Sequence, residues 1–440
     1  MKSQVKAVTL NCWGVPVVAR DRKARMEAIA EWLSSADYDF VFLEEVWLKS
    51  DYALIRDKTE KTYPFAHYFY SGVIGSGTCV LSRHPLSTSL YHRSPVNGFA
   101  HMVHHGDWFG GKGVGLCQAH CRGLVINLYI THLHANYNKA RDVYSCHRLV
   151  QSFDCAQFVR MTSAGADLIL FAGDFNSNPD ELPYKVITHC AGLKDAYYLD
   201  SETTKEPPEE ATCEAPKNSY TSRHSALEHG ERIDFIFVGT RGPTRLEDVS
   251  YCQPLPELVA GCQHGYSDHE AVAVSLRLVT DSGEGEKWVF HPCDYRDSVL
   301  RESLVECETY LKSLHIDQIF HVVVSVLLLA VLVATLGWPV LHGWGQGLLR
   351  LLVSLLFGYT LFMATVWNRI ERAGIVAGMC DLRVALHRSS DSSPTTPLPP
   401  DDNRKLSVSG ELPGVCLEQP RRSLTGESAA PERSAANGDL

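Results

Sequence analysis

The chain has 440 residues, enough for one large domain with an appendage or for two medium ones. A hydrophobic content of 45% supplies a sizeable core, and a formal net charge of -10 argues against a nucleic-acid scaffold, because affinity for a polyanion rests on Lys and Arg neutralising phosphates. The 14 cysteines are scattered without a CxxC pair, and Cys117 and Cys121 have no second pair to complete a zinc site, which reads as reduced thiols in a reducing compartment.

In chain order, short β-rich runs alternate with helical patterns over residues 1–280. Strands are expected at Val5–Leu10, Asp39–Leu43, Leu124–Thr131, Leu168–Phe171, Ile233–Val238 and Ala271–Leu278, where β-branched and aromatic residues cluster. Helices are expected at Arg25–Leu33 and Val143–Met161, where apolar residues recur at helical spacing. Mixed elements of this kind mean an α/β or α+β domain. Ser201–Asn218, rich in Glu, Pro and Thr, reads as a surface loop, and residues 281–317 read as a linker and juxtamembrane segment.

From Ile319 to Leu336 nearly every residue is apolar, and the run extends to Leu341; a second run covers Leu348–Trp367. Each has about the 20 residues that a bilayer core requires. They are read as transmembrane helices at 318–341 and 348–368, joined by a tight loop at 342–347. Trp338, Trp344 and Trp367 sit near the ends, where amphipathic rings favour the interface, and Arg350 lies close enough to one end to reach headgroups. Arg369, Arg372 and Arg383 follow the second run, which places both outer flanks on the cytosolic side. The absence of a signal-peptide core at the N-terminus and of any Asn-x-Ser/Thr sequon points the same way. Two buried helices of a soluble core are the competing reading, and the lack of a polar face on either run counts against it.

After a second juxtamembrane segment at 369–388, residues 389–440 turn to Ser, Pro, Thr and charge, the composition of a disordered tail. Arg404-Lys405-Leu406-Ser407 and Arg421-Arg422-Ser423 resemble sites for basic-directed kinases, although patterns this short arise by chance and a passive tail is the simpler reading.

Chemistry-bearing groups gather at predicted strand ends: Asn11 in TLNCWG, Glu45 in VFLEEVW, His132 in YITHLHA, Asp174 and Asn176 in AGDFNSNP, Asp234 in ERIDFIF, and Asp268-His269 in GYSDHEAVA. Each alone has an ordinary explanation: a solvated Glu, a structural His, an Asx turn. Together they are loops positioned by a rigid scaffold, where catalytic groups concentrate. Carboxylates and amides without a Cys/His cluster suit Mg²⁺, and separate histidines supply acid–base groups near neutral pH. One divalent ion, one base and several phosphate contacts suffice for in-line attack on phosphorus. The stretch HHGDWFGGKGVG adds four glycines around Lys112, which would let its ammonium approach a phosphate or pair with Asp107. Trp108 and Phe109 beside it suit a membrane interface or the face of a quaternary ammonium, against a plain core-packing role.

LN-x-W, LEEV, THLHA, GDFN, RIDFIF and SDHEAV, in this order over residues 8–275, resemble the endonuclease/exonuclease/phosphatase (DNase I-like) superfamily. NCWG, LEEVW, SGVIGSGTCVLSRHP, HHGDWFGGKGVG and THLHANY resemble its neutral sphingomyelinase branch, and the paired C-terminal helices are similar to the branch's sphingomyelin phosphodiesterase 2 type. The resemblance implies a four-layer sandwich of two packed mixed sheets with outer helices. It implies Mg²⁺-dependent, phospholipase C-type hydrolysis of a membrane sphingolipid, sphingomyelin, to ceramide and phosphocholine, with lyso-platelet-activating factor and related lyso choline phospholipids as further substrates. It places Glu45 as principal Mg²⁺ ligand, with Asn11 and Asp268 beside the metal. It makes His269 the general base and lets Asp234 orient a histidine. Asp174 and Asn176 position water and phosphate, and His132 holds phosphoryl oxygens or assists the leaving group. Asn11, Lys112, Asn176 and Trp108 then form the substrate-binding set. Spacing alone leaves Glu44 and Glu45 open, since they point to opposite faces of a strand; the family pattern selects Glu45. The resemblance favours an integral protein of the endoplasmic reticulum, with the plasma membrane second. A nuclease, an inositol-phosphate phosphatase or a non-catalytic membrane adaptor on the same fold are the alternatives. The acidic balance opposes the first, the missing Pro-x-Trp-Cys-Asp-Arg stretch the second, and the presence of every expected catalytic residue the third.

Overall fold

The computed structural model describes residues 1–200, 211–222, 230–281, 294–338 and 343–390. In chain order the catalytic part runs β1 (Lys2–Asn11), α1 (Arg22–Ser35), β2 (Phe40–Glu44), α2 (Lys49–Thr59), β3 (Phe65–Tyr68), β4 (Cys79–Ser82), β5 (Leu86–Arg93) and a single turn, α3 (Asp107–Gly110). It continues through β6 (Gly113–Cys121), β7 (Leu124–His132), α4 (Ser145–Thr162), β8 (Leu168–Asp174), α5 (Leu182–Cys190), β9 (Lys194–Asp195), β10 (Asp234–Thr240), β11 (Thr244–Cys252) and β12 (Val272–Thr280).

Period-2 burial explains the layering. In β2, Phe40 and Phe42 enter one buried cluster while Val41 and Leu43 enter another; in β8, Leu168, Leu170 and Ala172 separate in the same way from Ile169 and Phe171. A strand apolar on both faces must be covered on both. Two six-stranded mixed sheets, ordered β11-β12-β1-β2-β4-β3 and β5-β6-β7-β8-β10-β9, therefore pack face to face. Residues of α1, with Ile55 of α2, cover the outside of the first sheet, and α4 and α5 cover the second. This is the four-layer sandwich that the motifs imply. The six expected strands all form, each within two residues of its expected ends except β1, which begins three residues earlier at Lys2, and β8, which runs three residues further to include Asp174.

The C-terminal region departs from a simple tether. Helix α6 is one 44-residue helix, Asp294–Gly337, about 66 Å long at 1.5 Å per residue. Its first half carries Val299, Leu300 and Cys307 into the cluster formed by α4 and α5. Residues 294–317 are thus helix packed on the catalytic domain, where the sequence suggested a linker. Helix α7 (Trp344–Phe362) passes through a wide π-turn, Met363–Trp367, into α8 (Asn368–Ser390), which also docks: Ile375, Met379 and Leu382 join the same cluster. Two helices, Tyr295–Gly337 and Trp344–His387, are long and apolar enough to cross a membrane. Where they leave the apolar stretch, Gln318 donates to the Ala364 carbonyl (3.0 Å) and Asn368 to the Leu314 carbonyl (2.9 Å). Arg350 donates to the Thr335 carbonyl inside the hairpin instead of reaching outward. The expected tail, with its two kinase-like motifs, lies outside the described residues from 391 on, as do residues 201–210 of the acidic loop and 339–342, the end of the first expected membrane helix and the first residue of the expected 342–347 loop; Trp344–Gly347 of that loop are already the first turn of α7. The twelve cysteines among the described residues form no disulfide.

Candidate active site

Strand register assembles the site. In the second sheet, parallel β7 and β8 set His132 beside Asp174, and antiparallel β8 and β10 set Asp174 beside Asp234. Three motifs far apart in sequence therefore end in one row. In the first sheet, parallel β1 and β2 set Asn11 beside Glu44. Asn11 links the two sheets by donating from Nδ2 to Asp174 Oδ2 (2.9 Å), while its Oδ1 accepts from the Trp13 amide (3.0 Å).

The two adjacent glutamates part ways at the end of β2. Glu44 continues the alternation, is fully buried, and accepts from Thr9 Oγ1 (3.0 Å). Burial first, and then the Asp234 carboxylate, raises its pKa well above the ordinary value. Glu45 leaves the strand in the left-handed region (φ 57), where a non-glycine residue is strained. Its pKa rises to about 7, chiefly through burial and next through the Asp268 carboxylate, and its Oε2 has no hydrogen-bond partner. Asp174 is also raised, by burial and then by Asp234. Asp268 is raised by burial, and accepts from Ser267 Oγ (3.3 Å).

His269 binds Asp234: its Nδ1 lies 2.9 Å from Oδ2, a contact that makes Nδ1 the donor and fixes the tautomer. Burial works against the imidazolium, but the Cys213 sulfur and the Asp234 carboxylate outweigh it, so the ring titrates well above the ordinary range. We attribute that rise to Asp234, because the Cys213 thiol is itself pushed up by burial and carries no charge near neutral pH. His132 is the opposite case. Burial and then the Lys112 ammonium hold it well below the ordinary value; its Nε2 is 3.6 Å from Asp174 Oδ2 and 4.0 Å from Glu45 Oε1, and its Nδ1 is unpartnered. Asn176 follows β8 in the left-handed region (φ 47), which Asn tolerates; its amide NH binds Asp174 Oδ1 (2.8 Å) and its side chain donates to the Leu133 carbonyl (3.1 Å).

Lys112 lies directly behind this cluster, and Trp108 stands further from it. Lys112 is buried, ion-paired with Asp107, and donates to the same Leu133 carbonyl that Asn176 uses (2.7 Å). Trp108 lies against Trp367, at the end of the second apolar run, ring centroids 6.3 Å apart. Of the expected residues, Asn176, Asp268 and His269 line a cleft of about 320 Å³, together with Asn136, Lys139 and Tyr220.

Several supporting residues escaped the motif reading. Thr212 accepts from the amides of Ile233 and Asp234 (3.0 and 3.1 Å) and so sets the start of β10, and Cys213 forms backbone bridges to Glu231 and to His269. Both lie in the stretch read as an ordinary surface loop. Arg25, fully buried on α1, donates to the carbonyls of Cys12, Trp13 and Tyr266 (2.8, 2.7 and 3.3 Å), tying the Asn11 loop to the Asp268 loop. A basic residue inside an apolar helical face was the available signal.

The donor chemistry suits a divalent cation. Glu45, Asp174 and Asp268 are buried together, two of them raised in part by other carboxylates, and Oε2 of Glu45 and Oδ1 of Asp234 lack any partner. Hard oxygens with uncompensated charge are what Mg²⁺ selects. Asp174, Asp234 and His269 also offer ligand atoms within 4.8 Å of one another.

Residues 8–269 match the endonuclease/exonuclease/phosphatase family. The chain belongs to that family of hydrolases and, within it, stands with the neutral sphingomyelinases. A Drosophila melanogaster protein provisionally named a neutral sphingomyelinase is 35% identical, over 88% of this chain and 98% of its own. A Mus musculus relative named sphingomyelin phosphodiesterase 2 is 36% identical, over 69% of this chain and 73% of its own. Among solved structures, a Staphylococcus aureus beta toxin superimposes with a TM-score of 0.50 at 16% identity, covering 61% of this chain and 99% of the toxin, a likeness of fold. The protein is accordingly an enzyme.

Proposed function

We propose that this enzyme hydrolyses sphingomyelin to ceramide and phosphocholine with one Mg²⁺, at the cytosolic face of the membrane that its C-terminal helices cross. The relatives' names support the substrate, and one observation carries the chemistry: His269, paired with Asp234, lines one cleft with Asp268, whose carboxylate raises the pKa of Glu45, and Oε2 of Glu45 has no partner. Glu45 would hold the ion, with Asp268 beside it and Asn11 offering its remaining lone pair. A bound Mg²⁺ would offset charge on the phosphoryl oxygens and draw the His269 pKa back toward neutrality.

The chain's own residues supply the rest. His269, with Nδ1 committed to Asp234, takes the proton of the attacking water on its other ring nitrogen. Asp174 holds Asn11 and the Asn176 amide in place, so that these side chains face the phosphate from both sheets. His132, kept neutral by burial, donates to a phosphoryl oxygen or to the departing ceramide oxygen. Lys112 acts one layer back, through the Leu133 carbonyl that it shares with Asn176, and Trp108 serves the membrane side. Because the cleft reads the headgroup, lyso choline phospholipids, including lyso-platelet-activating factor, are expected as further substrates. Residence in the endoplasmic reticulum, and kinases acting on the tail, belong to the same reading.

The test is a substrate panel with purified full-length enzyme, in Mg²⁺ and in chelator. Sphingomyelin turnover that is lost on chelation and regained with Mg²⁺ is expected, with lyso choline phospholipids turned over more slowly. Preference for plasmid DNA or a phosphoinositide would overturn the assignment.

A further inference from the structure

The site-bearing end of the sandwich and the membrane end of the stalk are the same end. Helix α8 runs parallel to α4: Glu371 meets His147 (2.5 Å), a Cβ on Gly378 would touch Val150, and Asp381 raises its pKa partly through Asp154. The first turn of α8, just past the apolar run, thus lies beside the first turn of α4. That turn follows β7, whose end carries His132.

Two neighbouring loops at this end expose apolar side chains. In one, Val73 and Ile74 are 76% and 47% exposed, after Tyr70 at 69%; in the other, Val103 is 65% exposed. Both are fixed to the hairpin junction. The amides of Val73 and Ile74 donate to the Phe109 carbonyl (2.7 and 3.3 Å), next to Trp108, which packs on Trp367. Val103 is two residues from His101, whose ring also meets Trp367 at 6.2 Å. Trp367 closes the second apolar run, where a tryptophan marks the interface. The same loop reaches the chemistry from its other side: the Val46 amide donates to the Gly77 carbonyl (2.8 Å), and a Cβ on Gly77 would press on Trp47, whose ring lies 6.4 Å from His132.

We propose that Val73 and Ile74, with Val103 beside them, form an apolar lip that enters the leaflet crossed by α6 and α7, bringing the mouth of the active site to headgroup depth. The partner is the bilayer itself. Exposed aliphatic side chains held level with an interfacial tryptophan are stabilised by acyl chains, as on an amphipathic element lying in the interface. The lip rests on the reading of α6 and α7 as membrane-spanning, and its test separates the two.

A fluorescent amino acid is placed at position 74, 161 or 352 of the full-length enzyme, reconstituted in phosphatidylcholine–sphingomyelin vesicles that carry nitroxide lipids. Met161, 75% exposed near the far end of α4, is the reference in water, and Leu352 reports on the hairpin. Expected are strong quenching at 352 by deep nitroxides, quenching at 74 by shallow ones, and none at 161. Quenching at 352 with none at 74 overturns the lip alone; none at 352 overturns the spanning reading and the lip with it. In parallel, the double variant Val73→Asn, Ile74→Asn should lose about tenfold on sphingomyelin in vesicles, yet stay within about twofold of the parent on a water-soluble phosphocholine ester. Met161→Asn should change neither rate. Equal losses of the double variant on both substrates, or none on vesicles, would reject the lip.

Discussion

Two buried polar regions of this enzyme are built on opposite principles. At the junction between the catalytic domain and α8, the buried carboxylate has neighbours to face: Glu371 is 3% exposed, accepts from Tyr310 (2.9 Å), and lies 2.5 Å from a His147 nitrogen. At the active site, charge is left unmatched. Glu45, Asp174 and Asp268 crowd together, and Oε2 of Glu45 and Oδ1 of Asp234 have no partner. A partnered carboxylate fixes one geometry, whereas an unpartnered one keeps free energy available for a cation and a phosphate. Folding alone therefore favours the junction over the site.

The comparison breaks first at His269. Replacing His269 with Ala should lower sphingomyelin turnover by about 10³-fold, and Asp234→Asn by about 10²-fold, since the ring loses its base or its tautomer lock. Both proteins should still fold but melt below the parent, because each change breaks the buried Asp234–His269 pair and leaves one partner uncompensated. Normal turnover of a folded His269→Ala enzyme would remove the base assignment.

A second and smaller effect sharpens the contrast through pH. Glu45 has an ordinary pKa of 4.5 and titrates at about 7 in the metal-free fold, so the native state holds a proton there that the unfolded chain has released. Its contribution to stability is full below about pH 4.5 and is lost as pH rises through about 7. Mg²⁺ needs the ionised form, so its affinity should climb about fivefold from pH 6 to pH 7, reach about tenfold by pH 8 and level off above. Calorimetry should show proton release at pH 6 and almost none at pH 8. Glu45→Gln should flatten this dependence.

The smallest expected effect is at the junction. A Cβ on Gly374 of α8 would sit 2.6 Å from Val96 Cγ1 and 2.9 Å from the Pro95 carbonyl oxygen, so Gly374→Ala should destabilise the full-length protein by about 1–3 kcal/mol. Thermal unfolding in detergent would read it. Turnover of a water-soluble ester at low temperature should be unchanged, since the residue touches no part of the cleft.

What the sequence made legible follows from how local each signal is. Strands apolar on both faces, such as β2 and β8, announce themselves by composition. Strand β5 does not: its residues are mostly exposed, and it pairs along the sheet edge through β6. The motifs placed Asn11, Glu45, Asp174 and His269 at strand ends, but the row His132–Asp174–Asp234 is a property of register, which no single segment encodes. Cys213 and Thr212 were hidden because their role is made by backbone pairing inside a polar stretch. Hydropathy found both apolar runs and stopped where apolarity stops. The first half of α6 continues as an amphipathic helix, and only its contacts with α4 and α5 identify it as part of the catalytic body.

The shared packing of α6 and α8 with α4 and α5 has a kinetic corollary. An enzyme on a loose tether would sample a hemisphere and could reach a neighbouring vesicle. One whose cleft is held at constant height over its own leaflet meets substrate only by lateral diffusion. Its velocity should then follow the mole fraction of sphingomyelin in that leaflet and ignore how many substrate-bearing vesicles the surrounding solution contains.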